Sequence, residues 1–182
     1  MSAGGGHTPR LEALLRARGV ETMEALVAAR LGFERPRLDD YLVKSLLRTL
    51  PADAPDERVE AVLVEAAVVG ETFFLRHAGQ LQWLKSGWLG AAAAGAAGRP
   101  LQILFAGCST GEEVWSFFGS LGPAIRAAHP AGFRVLAVDV SARALAVARA
   151  RRYRTWSLRG VDLQANPWLR PTPDGAVEIP HD

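Results

Sequence analysis

What most limits the fold of this chain is a strand that runs straight into a glycine-spaced turn and then a helix, LQILFAGCSTGEEVWSFF at 101–118. Residues 101–106 have the length and apolar bulk of a buried strand. Gly107 and Gly111 punctuate the turn, and helical apolar spacing then runs from about Gly111 to about Ala128. The same plan repeats at once. A strand at 133–138 leads into Asp139 within VLAVDVS, and a helix follows from Ser141 to about Arg151. Ser141 reads as the N-cap, with Ala144, Leu145 and Ala148 as the buried stripe. Strand–helix–strand of this length closes by a right-handed crossover, so the two strands are expected to be parallel neighbours.

The chain before this point is helical. Leu11, Leu14 and Leu15 share a face closed by Gly19, and Met23, Leu26, Val27 and Leu31 share another closed by Gly32. Leu38, Tyr41, Leu42, Ser45 and Leu46 after Pro36 suggest a third helix, and Val59, Val62, Leu63, Ala66 and Ala67 a fourth after Pro51 and Pro55. The expected organisation is a frayed tail at 1–9, a helical domain at 10–69, a linker segment and helix at 70–100, and the α/β domain at 101–182. Within 70–100, Leu81, Leu84 and Trp88 keep helical spacing, and GAAAAGAAGRP at 90–100 reads as a loose joint. Beyond 152 the pattern is turn-rich, with AVEI at 176–179 as one short strand. The fold class is α/β: a small helical domain followed by an incomplete Rossmann-like parallel sheet. A parallel sheet normally has more than two strands and is covered on both faces. The chain is therefore expected to belong to a longer protein, to complete its sheet with a partner, or to be only marginally stable.

Composition closes off several classes. With 49% apolar residues among 182, the chain can bury a globular core. A net charge of +2 gives no footing for a nucleic-acid partner. The single cysteine, Cys108, excludes an intrachain disulfide and suits a reducing compartment. The N-terminus carries no secretory apolar core, and no apolar run reaches membrane-spanning length, so a cytoplasmic location without membrane insertion is expected. His7, His77, His129 and His181 lack metal-ligand spacing, and no metal is expected.

The chemistry sits at the two strand ends. Gly107 and Gly111 let backbone approach a ligand, and the start of the next helix offers amide donors and a positive dipole end. Glu112 and Glu113 in the first helical turn repel a diphosphate but suit a sulfonium, an amine or ribose hydroxyls. That charge argument favours S-adenosylmethionine over a dinucleotide, as does the lack of a third spaced glycine. A tight turn with acids placed for the helix dipole accounts for the same residues. Asp139 at the second strand end can accept both ribose hydroxyls, or serve as a turn residue beside Ser141. Thr72 and Arg76 in GETFFLRH at 70–77 can bind a carboxylate, although the segment also reads as an apolar plug. The run Arg143, Arg149, Arg151, Arg152, Arg154 and Arg159 reads as a solvated face or as a surface for an acidic partner. Tyr153 and Trp156 read as packing residues and Cys108 as a small buried one.

The order GETFFLRH, AGCSTGEE, AVDVS and RYRTWSLRG resembles the CheR family over roughly 30–162. These are S-adenosylmethionine-dependent methyltransferases that esterify glutamates of bacterial chemoreceptors. The resemblance implies a helical domain, a linker and a class I methyltransferase domain, with the chemoreceptor cytoplasmic methylation region as partner. It assigns Thr72, Arg76, Glu113 and Asp139 to cofactor binding, beside Gly107 and Gly111 read from the turn itself, and places Arg76 near the reacting carboxylate. Gly70 stands where the family has Asn, Leu75 where Phe is common, and Val114–Trp115 where Pro-Tyr is usual. The family's later strand, with its Asn pair and a following tyrosine, has no counterpart before Asp182. A non-catalytic module in signalling, binding the cofactor or a protein, is the alternative.

Overall fold

The computed structural model describes residues 8–32, 34, 38, 40–51, 53–68, 70–95, 98–129 and 131–180. It divides into two compact units, 1–69 and 70–182.

The first unit is four helices: α1 (Thr8–Ala17), α2 (Met23–Leu31), α3 (Asp40–Leu47) and α4 (Asp56–Ala67). The stop signal read at Gly32 acts as the sequence suggests, whereas the start signal of α2, Thr22, was not singled out. The Thr22 hydroxyl accepts from the Ala25 amide at the start of α2, and left-handed Gly32 ends it by donating to Ala28. Helix α4 packs against both α2 and α3. Leu14, Val27, Val43, Leu47, Val59 and Leu63 form the core. An Arg18–Glu60 ion pair ties the end of α1 to α4. The stripe expected on α3 is shifted. Tyr41 is 78% exposed, and the buried row is Val43 and Leu47, four apart. One helical turn satisfies several apolar residues here, and packing chooses among them. Helix α1 begins at Thr8, inside the expected tail, while His7, Pro36 and His181 lie outside the described residues.

The second unit opens with the 70–77 segment, then α5 (Ala78–Trp83), a π-helical turn (Leu84–Trp88) and α6 (Leu89–Gly95). The alanine run at 91–94 is thus helical rather than a loose joint, because four consecutive strong helix formers outweigh the flanking glycines. Positive φ at Gly98 and then Pro100 turn the chain into β1. Strands β1 (Leu101–Ala106) and β2 (Phe133–Val138) pair in parallel, Leu101 opposite Phe133 through Ala106 opposite Val138. Helix α7 (Glu112–Ala128) makes the crossover. Its Phe117, Leu121 and Ile125 cover one sheet face with Ile103, Phe105 and Phe133. The other face is open: Leu104 is 64% exposed and its register partner Leu136 61%.

Helix α8 (Ala142–Ala150) follows β2, capped by the Ser141 hydroxyl accepting from the Ala144 amide at 2.9 Å. A small antiparallel sheet, β3 (Arg152–Tyr153), β5 (Val177–Glu178) and β4 (Arg170–Pro171) in spatial order, ends the unit. Its β5 is the strand expected within AVEI. This sheet carries a third core of Tyr153, Leu169, Val177 and Ile179 closed over Phe74. No helix among the described residues is long and apolar enough to cross a membrane.

Candidate cofactor site

The turn between β1 and α7 departs from ordinary backbone three times in five residues. Gly107, Ser109 and Gly111 all have positive φ, at 73, 48 and 92°. The two glycines meet different needs. A Cβ on Gly111 would stand 2.9 Å from the Ala148 Cβ and 3.2 Å from the Tyr153 hydroxyl, so close packing on α8 requires glycine there. A Cβ on Gly107 would meet nothing within 4 Å. Gly107 therefore borders free space, as a backbone wall for a ligand does.

Asp139 locks this turn to the next. Its Oδ2 accepts from the Ser109 amide at 2.7 Å and its Oδ1 from the Ser141 amide at 2.9 Å. The first bond holds the left-handed Ser109; the second shapes the entry to α8. Each oxygen keeps a lone pair for a further donor. The Cys108 thiol is buried beside it, and burial, reinforced by the Asp139 charge, pushes its pKa above the ordinary 9.0. A raised thiol is a poor nucleophile at neutral pH, which agrees with a small packing residue.

The adjacent glutamates separate completely. Glu112 is 2% exposed. Its carboxylate accepts from the Thr110 hydroxyl and, at 2.7 Å, from the Ser157 hydroxyl, and its carbonyl accepts from the Ser116 hydroxyl at 2.6 Å. Ser116 Oγ in turn accepts from the Leu75 amide at 2.9 Å, and the Phe74 amide donates to the Ser157 carbonyl at 2.9 Å. Buried Glu112 thus fixes the two serines that hold the 70–77 segment. The Tyr153 hydroxyl completes the arrangement by donating to the Thr110 carbonyl at 2.8 Å. Burial and the Glu112 charge push the pKa of that phenol up. Glu113, one residue on, is exposed.

The 70–77 segment is therefore docked on the α/β unit. Phe74 is 1% exposed, 4.8 Å from Tyr153 and 5.7 Å from Trp168 between ring centres, both edge-to-face. Leu75 is left-handed, with φ of 56°, a conformation costly for a bulky residue and held here by its bond to Ser116. Arg76 then projects outward, donating to the Glu71 carbonyl at 2.7 Å. Arg159 braces the same segment. It pairs with Glu71 at 3.2 Å, and its guanidinium lies 4.3 Å from the Phe73 ring centre and 3.9 Å from that of Trp156.

Between this segment and the end of β1 lies a hollow of about 260 Å³. Phe73, Arg76, Gly107, Cys108, Glu113 and Ser116 are among its walls. Of the residues singled out by sequence, Arg76, Gly107 and Glu113 line the hollow. Gly111 and Asp139 stand behind it and shape the turn, and Thr72 is half-buried outside it. Sequence reasoning did not find the roles of Ser116, Ser157 and Arg159. A serine four residues after an acid, on the buried face of an apolar helix, was the available signal for Ser116. The arginine run is divided: Arg151, Arg152 and Arg159 are each engaged with neighbouring groups. Trp156, expected to pack, is 63% exposed and serves as a platform for Arg159.

A guanidinium, a carboxylate without a partner among the described residues and a glycine wall around one hollow suit a ligand with both an anionic and a cationic end. S-adenosylmethionine has both, in its amino-acid carboxylate and in its ammonium and sulfonium centres. Together with the parallel strands and the crossover helix, this defines the class: part of a class I, S-adenosylmethionine-binding methyltransferase domain. The family model "CheR methyltransferase, SAM binding domain" matches residues 70–182. The chain is also 34% identical over 126 residues to the probable biofilm formation methyltransferase WspC of Pseudomonas putida strain KT2440. That alignment covers 69% of this chain and 27% of the relative, so the chain spans about a quarter of the protein it matches. The chain belongs to the CheR methyltransferase family, and the cofactor of that domain is S-adenosylmethionine.

Proposed function

We propose that this chain supplies the cofactor-binding part of a protein-glutamate O-methyltransferase, acting on the cytoplasmic methylation region of a chemoreceptor-type signalling protein. The observation that supports it most is the hollow at the end of β1, with Arg76 on one wall and Glu113 on the other. The Pseudomonas relative is named a probable biofilm formation methyltransferase, which fits a signalling protein as partner. The compartment that fits such a partner is the cytoplasm.

S-adenosylmethionine, when bound, supplies an electrophilic methyl group on sulfur. The chain's residues hold and orient. Arg76 offers a bidentate fork to a carboxylate. Glu113 attracts a cationic centre and accepts from hydroxyls. Asp139 keeps the two turns in register and retains acceptor capacity. The acceptor glutamate is ionised at neutral pH, so this reading needs no general base. Alignment and exclusion of water are the contributions required of the protein.

Transfer of labelled methyl from S-adenosylmethionine to the glutamates of a receptor cytoplasmic fragment tests the proposal. Base-labile methyl ester on the receptor is the expected result. Its absence with the complete gene product overturns the methyltransferase reading. The open apolar face of the β1–β2 sheet favours a second reading, a cofactor-binding or interaction module without turnover. The transfer assay read beside a titration with S-adenosylhomocysteine separates the two: the module binds S-adenosylhomocysteine but moves no methyl from S-adenosylmethionine.

A further inference from the structure

Glu71 and Phe73 of the 70–77 segment each touch the same pair of arginines. The Glu71 carboxylate pairs with Arg159 at 3.2 Å, and its carbonyl accepts from Arg76 at 2.7 Å. The Phe73 ring centre lies 4.3 Å from the Arg159 guanidinium and 5.7 Å from that of Arg76. Of the pair, Arg76 alone faces the hollow at the end of β1. Phe73 is a wall there too, and Arg159 is not. Arg159 follows the short 3-10 helix Thr155–Leu158 and reaches Glu71 from 88 positions away.

The ion pair by itself does not call for arginine at 159. It is partly exposed, and such pairs contribute little. What marks the residue is that its guanidinium lies over Phe73 and also, at 3.9 Å, over Trp156. Its Nε is buried with no hydrogen-bond partner among the described residues. A lysine would pair with Glu71 and bring no such donor inside. The arrangement gives up a hydrogen bond and keeps a flat cation against two rings. We propose that Arg159 is a positioning residue for Arg76, its stacked guanidinium aiming that of Arg76 at the carboxylate end of the ligand. The inference rests on the reading of the hollow as the cofactor site. Arg76 is exposed and long, and holding it in one rotamer has an entropic cost. Its restraints are the Glu71 carbonyl and the Phe73 ring, and Arg159 fixes both residues. The consequence is selectivity: ligands with an amino-acid carboxylate gain from an aimed Arg76, and nucleosides without one do not.

Calorimetric titration of the full chain with S-adenosylhomocysteine and with methylthioadenosine, the same nucleoside thioether lacking the amino-acid end, tests this. The parent is expected to favour S-adenosylhomocysteine by at least about tenfold, as a charge-assisted bidentate contact would give. Arg159→Ala is expected to cut that preference by at least about fivefold, while methylthioadenosine affinity stays within about twofold. Arg159→Lys still presents a cation to Glu71, which guards the fold, but has no plane to lay on the rings. It should lose the preference as Arg159→Ala does. In an Arg76→Ala background, Arg159→Ala should change neither affinity further. The inference is overturned if Arg159→Ala or Arg159→Lys keeps the parent's preference, or if both nucleosides weaken together. It is equally overturned if Arg159→Ala costs as much beside Arg76→Ala as it does alone. If the parent binds neither nucleoside, or Arg76→Ala binds both as the parent does, the cofactor reading of the hollow fails and the inference with it. If Arg76→Ala loses the preference and the Arg159 variants keep it, the inference alone fails.

Discussion

Both carboxylate oxygens of Glu112 are occupied by hydroxyls, from Thr110 and Ser157, inside a site that excludes water, whereas the Glu113 carboxylate stands at the rim of the hollow. Removing the Glu112 side chain strands the buried Ser157 hydroxyl and the half-buried Thr110 hydroxyl, and so loosens the residue whose carbonyl holds Phe74, while Ser116 keeps its bond to the Glu112 backbone carbonyl. Glu112→Ala is expected to cost about 2 kcal/mol or more of stability, read from the urea midpoint. Glu113→Gln is expected to leave stability within about 0.5 kcal/mol and to weaken S-adenosylhomocysteine binding. Equal effects of the two substitutions on the fold would refute this division. The acid pair was legible in the motif, but the division was not. It depends on Ser157, 45 positions away, which no local window of sequence brings near. Gly119 makes the same point. It reads as an ordinary helix interior glycine, yet a Cβ there would lie 2.2 Å from the Trp168 ring. Gly119→Ala is expected to destabilise by about 1–3 kcal/mol through overpacking, measured by denaturant unfolding.

Strands β1 and β2 and helices α7 and α8 were readable because each has a strong local period and a local stop signal. Strands β3 and β4 were not: each is two residues long and, unlike β5 within AVEI, neither Arg152–Tyr153 nor Arg170–Pro171 lies in an apolar run. Their existence is settled by tertiary pairing with β5 and by side chains. Arg152 of β3 pairs with both Glu178 of β5 and Asp174 of the intervening turn. The Asp174 carboxyl is drawn down to about 2, first by the Thr172 hydroxyl and then by Arg152. A depressed carboxyl stabilises above its ordinary value of 3.8, and that contribution is lost as pH falls toward about 2. The β4–β5 hairpin should therefore loosen locally over that acid range. The amide signals of Thr172 and Gly175 are the probes, and Asp174→Asn should show the loosened state already at neutral pH. Because the pair is exposed, added salt should reduce the difference. Signals that follow acid in the same way in the Asp174→Asn variant would refute this cause.

Across the whole molecule, the two units carry separate cores. Among the described residues the buried core of 1–69 is aliphatic, and that of 70–182 is built on aromatic contacts around Phe74 and around Phe117. The sequence expectation ended the helical domain at 69 and began the α/β domain at 101, with a linker segment and helix between; the second compact unit starts at Gly70 and includes that segment. The docking of GETFFLRH was not visible in sequence, because Phe74 meets Tyr153 and Trp168 only after the long stretch of chain between them has folded. On the proposed reading, that docking sets which part of the chain carries the cofactor site. Arg76, Gly107 and Glu113 line the hollow, Asp139 and Gly111 shape its turn, and Glu112, Ser116, Ser157 and Arg159 hold the segment that carries Arg76. All belong to 70–182, and the family match covers the same residues. A polypeptide of residues 70–182 should therefore bind S-adenosylhomocysteine with the enthalpy and affinity of the full chain. One that begins at Leu101 should lose binding, because Arg76 and the Phe74 anchor go together. Phe74→Ala in the full chain separates those two losses. It leaves Arg76 in place but removes a large buried ring, at about 3–5 kcal/mol. If binding survives it, Arg76 alone suffices; if the shorter polypeptide from 70 fails to bind while folded, residues 1–69 contribute to the site and the assignment to one unit is wrong.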